Sequence, residues 1–344
     1  MYRICALFAC LLPAAVWAQE TFRTTVNVVA APTTVLDRQG NFVSGLKPSD
    51  FRLVDKGVAQ DIRVDESYLP ISLVVAIQAD GAVDSVLPRI QKIGPMLKPL
   101  VFGEHGEAAI VSFDHRIQVL QDFTNDPDRL AEGLKKLRAG SSSSRLIDAV
   151  DESVRMLRRR SGERRRVILL ISESRDKGSS GRVRETLAAA EFQNVSLYAV
   201  NIPRLLTAFT QKAPAPRPDP FPATAHRLPA GAAVTPDATS GNRNYGNVMP
   251  AFEEIIRGVK AIFISNPVEV FTKYTGGKEQ NFVGLKGLEE AISAVGSELH
   301  AQYLVTYTPS NRLEGGYHEI TVTVNRPGLT VRTRPGYWMA AVPQ

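Results

Sequence analysis

The stretch that decides the fold is Pro70-Ile71-Ser72-Leu73-Val74-Val75-Ala76-Ile77, with Gln78-Ala79-Asp80-Gly81-Ala82 directly behind it. The first part is a near-continuous apolar, β-rich run, which is how a strand buried on both faces reads. The second part turns abruptly small and polar, and a helical pattern sets in from about Asp84. Strand, turn and helix in that order open a βαβ unit. In open parallel sheets, ligands bind in the crevice at the carboxyl ends of such strands. Gln78 to Ala82 is therefore the first candidate for a site.

From Pro70 to Val200 strands and helices alternate. Ala108 to Phe113 is a second apolar strand, Ile117 to Leu120 a short edge strand, and Val167 to Ile171 the most apolar run of all. Asp126-Pro127 opens a helix, with Asp126 as N-cap and Pro127 at the first position. A Ser-rich turn, Gly140 to Ser144, precedes a helix from Arg145 to about Arg159; Gly181 to Phe192 is helical and Val195 to Val200 is the next strand. The succession predicts an α/β fold with a doubly wound, mostly parallel sheet over 68–308. Between about Arg204 and Pro250 the Pro- and Gly-rich composition reads as a disordered excursion loop. Helical pattern resumes at Phe252, is interrupted at Asn266-Pro267 and stops at Gly276-Gly277; Leu285 to His300 is another helix and Tyr303 to Tyr307 a strand.

The flanks differ. Residues 20–67 carry short alternating segments and turns: Thr25 to Val29, the turn Asp37 to Asn41, a hairpin at Phe51 to Gly57, and Asp61 to Asp65. Residues 309–344 alternate again, over His318 to Val324 and Thr330 to Arg334, around a Pro327-Gly328 turn. Neither flank is large enough to fold alone, so the two are expected to pair into one small β module.

Met1 to Ala18 has a lone Arg3, an apolar run from Ile4 to Trp17 and small residues at Val16 and Ala18, the pattern of a secretory signal peptide cleaved after Ala18. The run is too short to span a bilayer, and no later segment is long and apolar enough to do so. A secreted or periplasmic location follows. Both cysteines, Cys5 and Cys10, lie in this leader, so the remaining chain can use neither disulfides nor thiol catalysis. The 344 residues, 44% of them apolar and 22% charged, suit one large or two ordinary globular domains. The net charge of +6 gathers at Arg158-Arg159-Arg160 and Arg164-Arg165-Arg166. Lying at a helix end, without aromatic interleaving, these read as a solvated basic corner and not as a nucleic-acid surface. The five histidines show no pair at metal spacing. Asp114-His115 lies close to Ser112, but no nucleophile elbow accompanies it, and a surface histidine is the simpler reading.

Several segments together resemble one family. They are Phe42-Val43-Ser44-Gly45-Leu46 with Asp50-Phe51, the strand ending at Gln78, and Gln121-Asp122-Phe123-Thr124. Leu146-Ile147-Asp148-Ala149-Val150, Ile168 to Asp176 and Tyr274-Thr275-Gly276-Gly277 continue the match. Glu298-Leu299-His300-Ala301-Gln302-Tyr303 and Arg334-Pro335-Gly336-Tyr337 close it. The chain resembles the bacterial VWFA-related proteins common in Acidobacteria, which carry a von Willebrand factor type A domain. The resemblance covers nearly all of the chain after the leader except the Pro-rich excursion.

The resemblance implies a Rossmann-like type A domain that binds proteins, with Mg²⁺ in a metal-ion-dependent adhesion site. Such a site uses Asp-x-Ser-x-Ser after the first strand, a Thr from a later loop and an Asp after the fourth main strand. Here the pattern is degraded: Gln78, Asp80 and Ala82 stand at the first three positions, Ser144 at the Thr position and Glu173 at the last Asp position. Asp80, Ser144 and Glu173 remain candidate ligands for Mg²⁺ or Ca²⁺ in a rearranged site, since such ions take hard oxygen ligands. Gln78, Asp80, Ser143, Ser144 and Glu173 form the expected partner-binding rim.

Each residue also has a structural role open to it. Asp80 could satisfy turn backbone, Ser143 or Ser144 could cap the Arg145 helix, Glu173 could pair with Arg175 or another nearby base on the surface, and Asp148 could be a dipole-favoured acid. The leading expectation is a non-catalytic protein-interaction module with an unidentified protein partner. An adhesin with a variant Mg²⁺ or Ca²⁺ site, and a metal-dependent hydrolase using Asp80 and Glu173, are the alternatives.

Overall fold

A computed structural model describes residues 28–66, 69–100, 105–141, 143–161, 164–203, 266–282, 287–310 and 315–339. The expected leader (1–18), the Pro-rich excursion (204–250) and the helical restart at Phe252 lie outside them. The decisive stretch forms β5 (Ile71–Gln78), and every one of its residues is buried. It is flanked on both sides by parallel neighbours, β6 (Glu107–Phe113) and β8 (Arg165–Ser172). Beyond β8 come β9 (Val195–Asn201) and the short β10 (Glu279–Asn281), both parallel. β7 (Ile117–Thr124) closes the other edge antiparallel to β6, longer than the four residues expected and irregular in register. The six-stranded order is β10-β9-β8-β5-β6-β7.

Side chains of a strand alternate between faces, and β5 shows the consequence. Leu73, Val75 and Ile77 pack against Leu87 and Ile90 of α1 (Leu87–Ile90), Leu97 of α2 (Gly94–Leu100), Leu130 and Leu134 of α3 (Pro127–Lys135), and the buried side of α7 (Gly287–Ala301). Val74 and Ala76 face the other layer, made by α4 (Leu146–Arg158), α5 (Val183–Phe192) and α6 (Pro267–Thr275). Each aliphatic side chain so buried contributes about 1.5–3 kcal/mol. Two helix-covered faces explain why the strand reads apolar throughout, and the doubly wound α/β class is what the sheet shows. The helical pattern expected from Asp84 becomes the single turn of α1 followed by α2. Asp126 caps α3 by accepting the Asp128 N–H at 2.9 Å, with Pro127 at the first position. Among the described residues, no helix is long and apolar enough to cross a membrane.

Strands from both flanks pair in two further four-stranded sheets. β1 (Val29–Leu36) runs antiparallel to β13 (Thr330–Arg332) and β11 (Tyr303–Tyr307), and β11 pairs in turn with β4 (Ile62–Glu66). β2 (Phe51–Asp55), hairpinned to β3 (Val58–Ala59), pairs with β12 (Gly316–Val324), which pairs with β14 (Gly336–Met339). Val35, Leu46, Leu53, Tyr303, Val305 and Val322 lie in the apolar core of these sheets. The sequence places Tyr303–Tyr307 inside the 68–308 unit; the structure hydrogen-bonds it on both edges to strands of the N-terminal flank.

The basic corner is only partly solvated: Arg158 and Arg159 are exposed, but the other four arginines are engaged. Arg160 makes a two-point pair with Glu107 (2.7 and 2.6 Å), and Arg164 reaches the Ser72 hydroxyl at 2.7 Å. Arg165 is buried, donating to the Leu299 carbonyl (2.7 Å) and Gln302 Oε1 (2.5 Å), and Arg166 donates to carbonyls of Gln193 and Arg160. The forked guanidinium satisfies several acceptors at once, so these arginines tie strand starts to helix ends.

Candidate functional site

Three connections converge at the carboxyl ends of β5 and β8: the turn after Gln78, the Ser-rich turn before α4, and the loop 173–181. Backbone bonds lock them together. The Gly81 N–H donates to the Ser141 carbonyl (2.9 Å), the Gly140 N–H to Ala79 (2.7 Å) and the Lys177 N–H to Ser144 (2.8 Å). Asp114, at the end of β6, accepts the N–H groups of Arg116 (2.8 Å) and Ser141 (3.0 Å) and lies 2.9 Å from His115 Nδ1. That carboxylate anchors the Ser-rich turn.

Gln78 and Asp80 are fully buried, and Glu173 is 4% exposed. The Gln78 amide bridges the two acids: its Nε2 donates to Asp80 Oδ1 at 2.9 Å and its Oε1 accepts the Glu173 N–H at 2.7 Å. Asp80 Oδ1 also accepts the Ala82 N–H (3.2 Å), whereas Oδ2 is buried with no hydrogen-bond partner. Burial raises the Asp80 carboxyl above its usual pKa; the Gln78 hydrogen bond and the charge of Lys177 oppose this, and the charge of Glu173 adds to it. The Glu173 carboxylate pairs with a nearby base, Lys177 Nζ, at 3.7 Å.

Neither serine caps α4. Ser144 Oγ donates to the Arg175 carbonyl (3.3 Å) and Ser143 Oγ to the Lys177 carbonyl (2.7 Å). The first turn of α4 is satisfied from the loop instead, by Asp176 Oδ1 on the Ile147 N–H and Ser179 Oγ on the Asp148 N–H, both 3.2 Å. Orphan N–H groups at a helix start take whatever acceptor is nearest. Asp148 is more than a dipole-favoured acid: it accepts the N–H groups of Ser180 (3.0 Å) and Gly181 (2.8 Å) and the Arg145 guanidinium (2.7 Å).

The structure thus brings Gln78, Asp80, Ser143, Ser144 and Glu173 to one rim. Among the described residues, no group of three or more His, Cys, Asp or Glu side chains is placed to hold a metal ion. The groups placed against the two carboxylates include the Gln78 amide N–H, the Ala82 N–H and the Lys177 ammonium, and these three are donors. A Mg²⁺ or Ca²⁺ ion needs several oxygen ligands converging on one point, and this set does not fit one. The sequence announced Lys177 only as one nearby base among others, four positions beyond Glu173.

A second buried polar cluster was also unannounced. Fully buried Asp55 on β2 accepts the hydroxyls of Tyr307 (2.9 Å) and Tyr337 (2.8 Å) and lies 2.8 Å from Nδ1 of the equally buried His318.

No protein-family profile and no curated protein matches the chain. Among solved structures, it is similar to the vWF domain of the type V pili tip protein Mfa5 from Porphyromonas gingivalis, at 20% identity and TM-score 0.28, over 31% of this chain and 39% of that one. It is similar to an aerotolerance-related membrane protein from Bacteroides fragilis at 12% identity and TM-score 0.39, over 67% and 98% of the two chains. The SpRpn10 VWA domain follows at 8% identity and TM-score 0.30, over 42% and 84%. None of these likenesses says what this chain binds. Two of the three are von Willebrand type A domains, the family that the sequence segments of this chain resemble.

Proposed function

We propose that this chain is a non-catalytic protein-interaction module of the cell envelope or exterior, and that it binds its partner through the rim at the carboxyl ends of β5 and β8. The observation that carries the reading is the loop 173–181. Ser143, Ser144, Ile147 and Asp148 hold it along its length, yet it keeps Arg175, Lys177 and Ser180 exposed to solvent. A preordered loop loses little entropy on binding, and a rigid scaffold presenting exposed charge is the usual build of a recognition surface. The extracytoplasmic location rests on the leader pattern of residues 1–18.

The test is a photo-cross-linking residue placed at Arg175 or Ser180, with Arg159 at the opposite end of the sheet as control. Adducts to an envelope or culture-fluid protein are expected from the two rim positions alone. Silence at both, or equal labelling from Arg159, overturns the reading. Turnover of an envelope substrate that Glu173→Gln abolishes would make the chain a hydrolase instead.

A further inference from the structure

We propose that the ε-ammonium of Lys177 is the resident cation of this rim: the chain supplies its own counter-charge to Asp80 and Glu173, and the site takes no divalent metal. Three observations lead there. The first is position. Lys177 Nζ lies 3.7 Å from Glu173 Oε2, and its field reaches Asp80, where it stabilises the ionised carboxylate.

The second is how the lysine is held. Its N–H donates to the Ser144 carbonyl and its carbonyl accepts the Ser143 hydroxyl, at 2.8 and 2.7 Å. Ser143 therefore uses its hydroxyl to fix the backbone of the residue bearing the cation. Gly178 follows at φ +145°, a region that side chains rarely adopt, and a Cβ there would stand 2.6 Å from Ser143 Oγ. The turn that aims Lys177 thus has a steric requirement of its own.

The third is charge. Asp80 Oδ2 is buried without a hydrogen-bond partner, and such a group is costly unless a charge lies nearby. A divalent ion beside Asp80 would also face the Lys177 ammonium, and like charges repel. The long lysine stem brings its ammonium to Glu173 while leaving it partly in water.

The full chain is titrated calorimetrically with Mg²⁺, Mn²⁺ and Ca²⁺, and its melting temperature is read with metal and with chelator. Wild type is expected to show no saturable heat at millimolar metal and no response to chelator. Lys177→Met should melt several degrees lower and gain Mn²⁺ binding at least tenfold tighter than wild type. Asp80→Asn in that background should remove the gain, and Lys177→Arg should melt near wild type without gaining metal.

Saturable wild-type binding that Asp80→Asn removes would overturn the proposal, as would a Lys177→Met protein unchanged in both melting temperature and metal response. If Lys177→Met does not fold, the wild-type titration and Lys177→Arg decide. The outcome is independent of the cross-linking result: a rim without a partner leaves the role of Lys177 standing, and a metal-binding rim leaves the interaction reading standing.

Discussion

Gln78 is a neutral amide between two acids, and it satisfies both ends of the arrangement because an amide is donor and acceptor at once. No carboxylate at that position could donate to Asp80 unless protonated. Replacing it with leucine keeps the bulk but leaves the buried Glu173 N–H without its acceptor and Asp80 without its amide donor. Gln78→Leu is therefore expected to lower stability by about 2–4 kcal/mol, read as a drop in the denaturant midpoint at unchanged slope. A variant as stable as wild type would show that water replaces the amide and that the rim is looser than its hydrogen bonds imply.

At the scale of elements, the Gly276-Gly277 pair stops α6 and sets it against the sheet. Gly276 takes φ +78° as the helix C-cap, a left-handed conformation that glycine adopts without steric cost. Gly277 is needed for a different reason: a Cβ there would stand 1.8 Å from the Leu197 carbonyl oxygen in β9. The atoms it meets are backbone, with no flexible side chain to yield. Gly277→Ala should cost at least about 2–4 kcal/mol, whereas Gly81→Ala, with nothing within 4 Å of its Cβ, should stay within about 0.5 kcal/mol. Thermal melts of the two variants check the contrast.

Over the whole molecule, two polar seams join the α/β layers to the terminal sheets. In one, Arg165 of β8 binds Gln302, whose amide donates to Thr34 of β1 at 3.3 Å, while Glu298 of α7 pairs with Arg332 of β13. In the other, Glu191 of α5 is buried beside β14. Burial pushes its carboxyl up to about 8, against the pull of Arg334 and the Trp338 backbone. The fold thus favours the protonated acid. Its contribution is full below the unfolded pKa near 4.5 and is lost as pH rises through about 8, a loss on the order of a few kcal/mol. Denaturant midpoints of wild type and Glu191→Gln should coincide near pH 5 and diverge towards pH 9, with the glutamine variant the more stable. Parallel curves would mean that Glu191 is already ionised in the folded chain.

Local pattern was enough for the main elements that near neighbours in the chain decide. The apolar run at 70–77 had to be a strand covered on both faces, the Asp126-Pro127 cap had to open a helix, and the polar turn after Gln78 had to lie at the carboxyl end of a sheet strand. The alternating flanks likewise announced strands in search of partners. Tertiary structure decided what depends on which distant groups come within hydrogen-bond reach. Tyr303–Tyr307 alternates like any half-buried strand, so only the positions of β1 and β4 could assign it to the terminal sheets. The arginine run reads as surface throughout, but Arg160, Arg164, Arg165 and Arg166 meet Glu107, the Ser72 hydroxyl and the carbonyl ends of other elements. Lys177 becomes part of the rim only because Ser143 and Ser144, more than thirty residues away in the chain, hold its loop over Asp80 and Glu173. Periodicity encodes which face is buried, but electrostatic partnership is set by packing, and packing is not local.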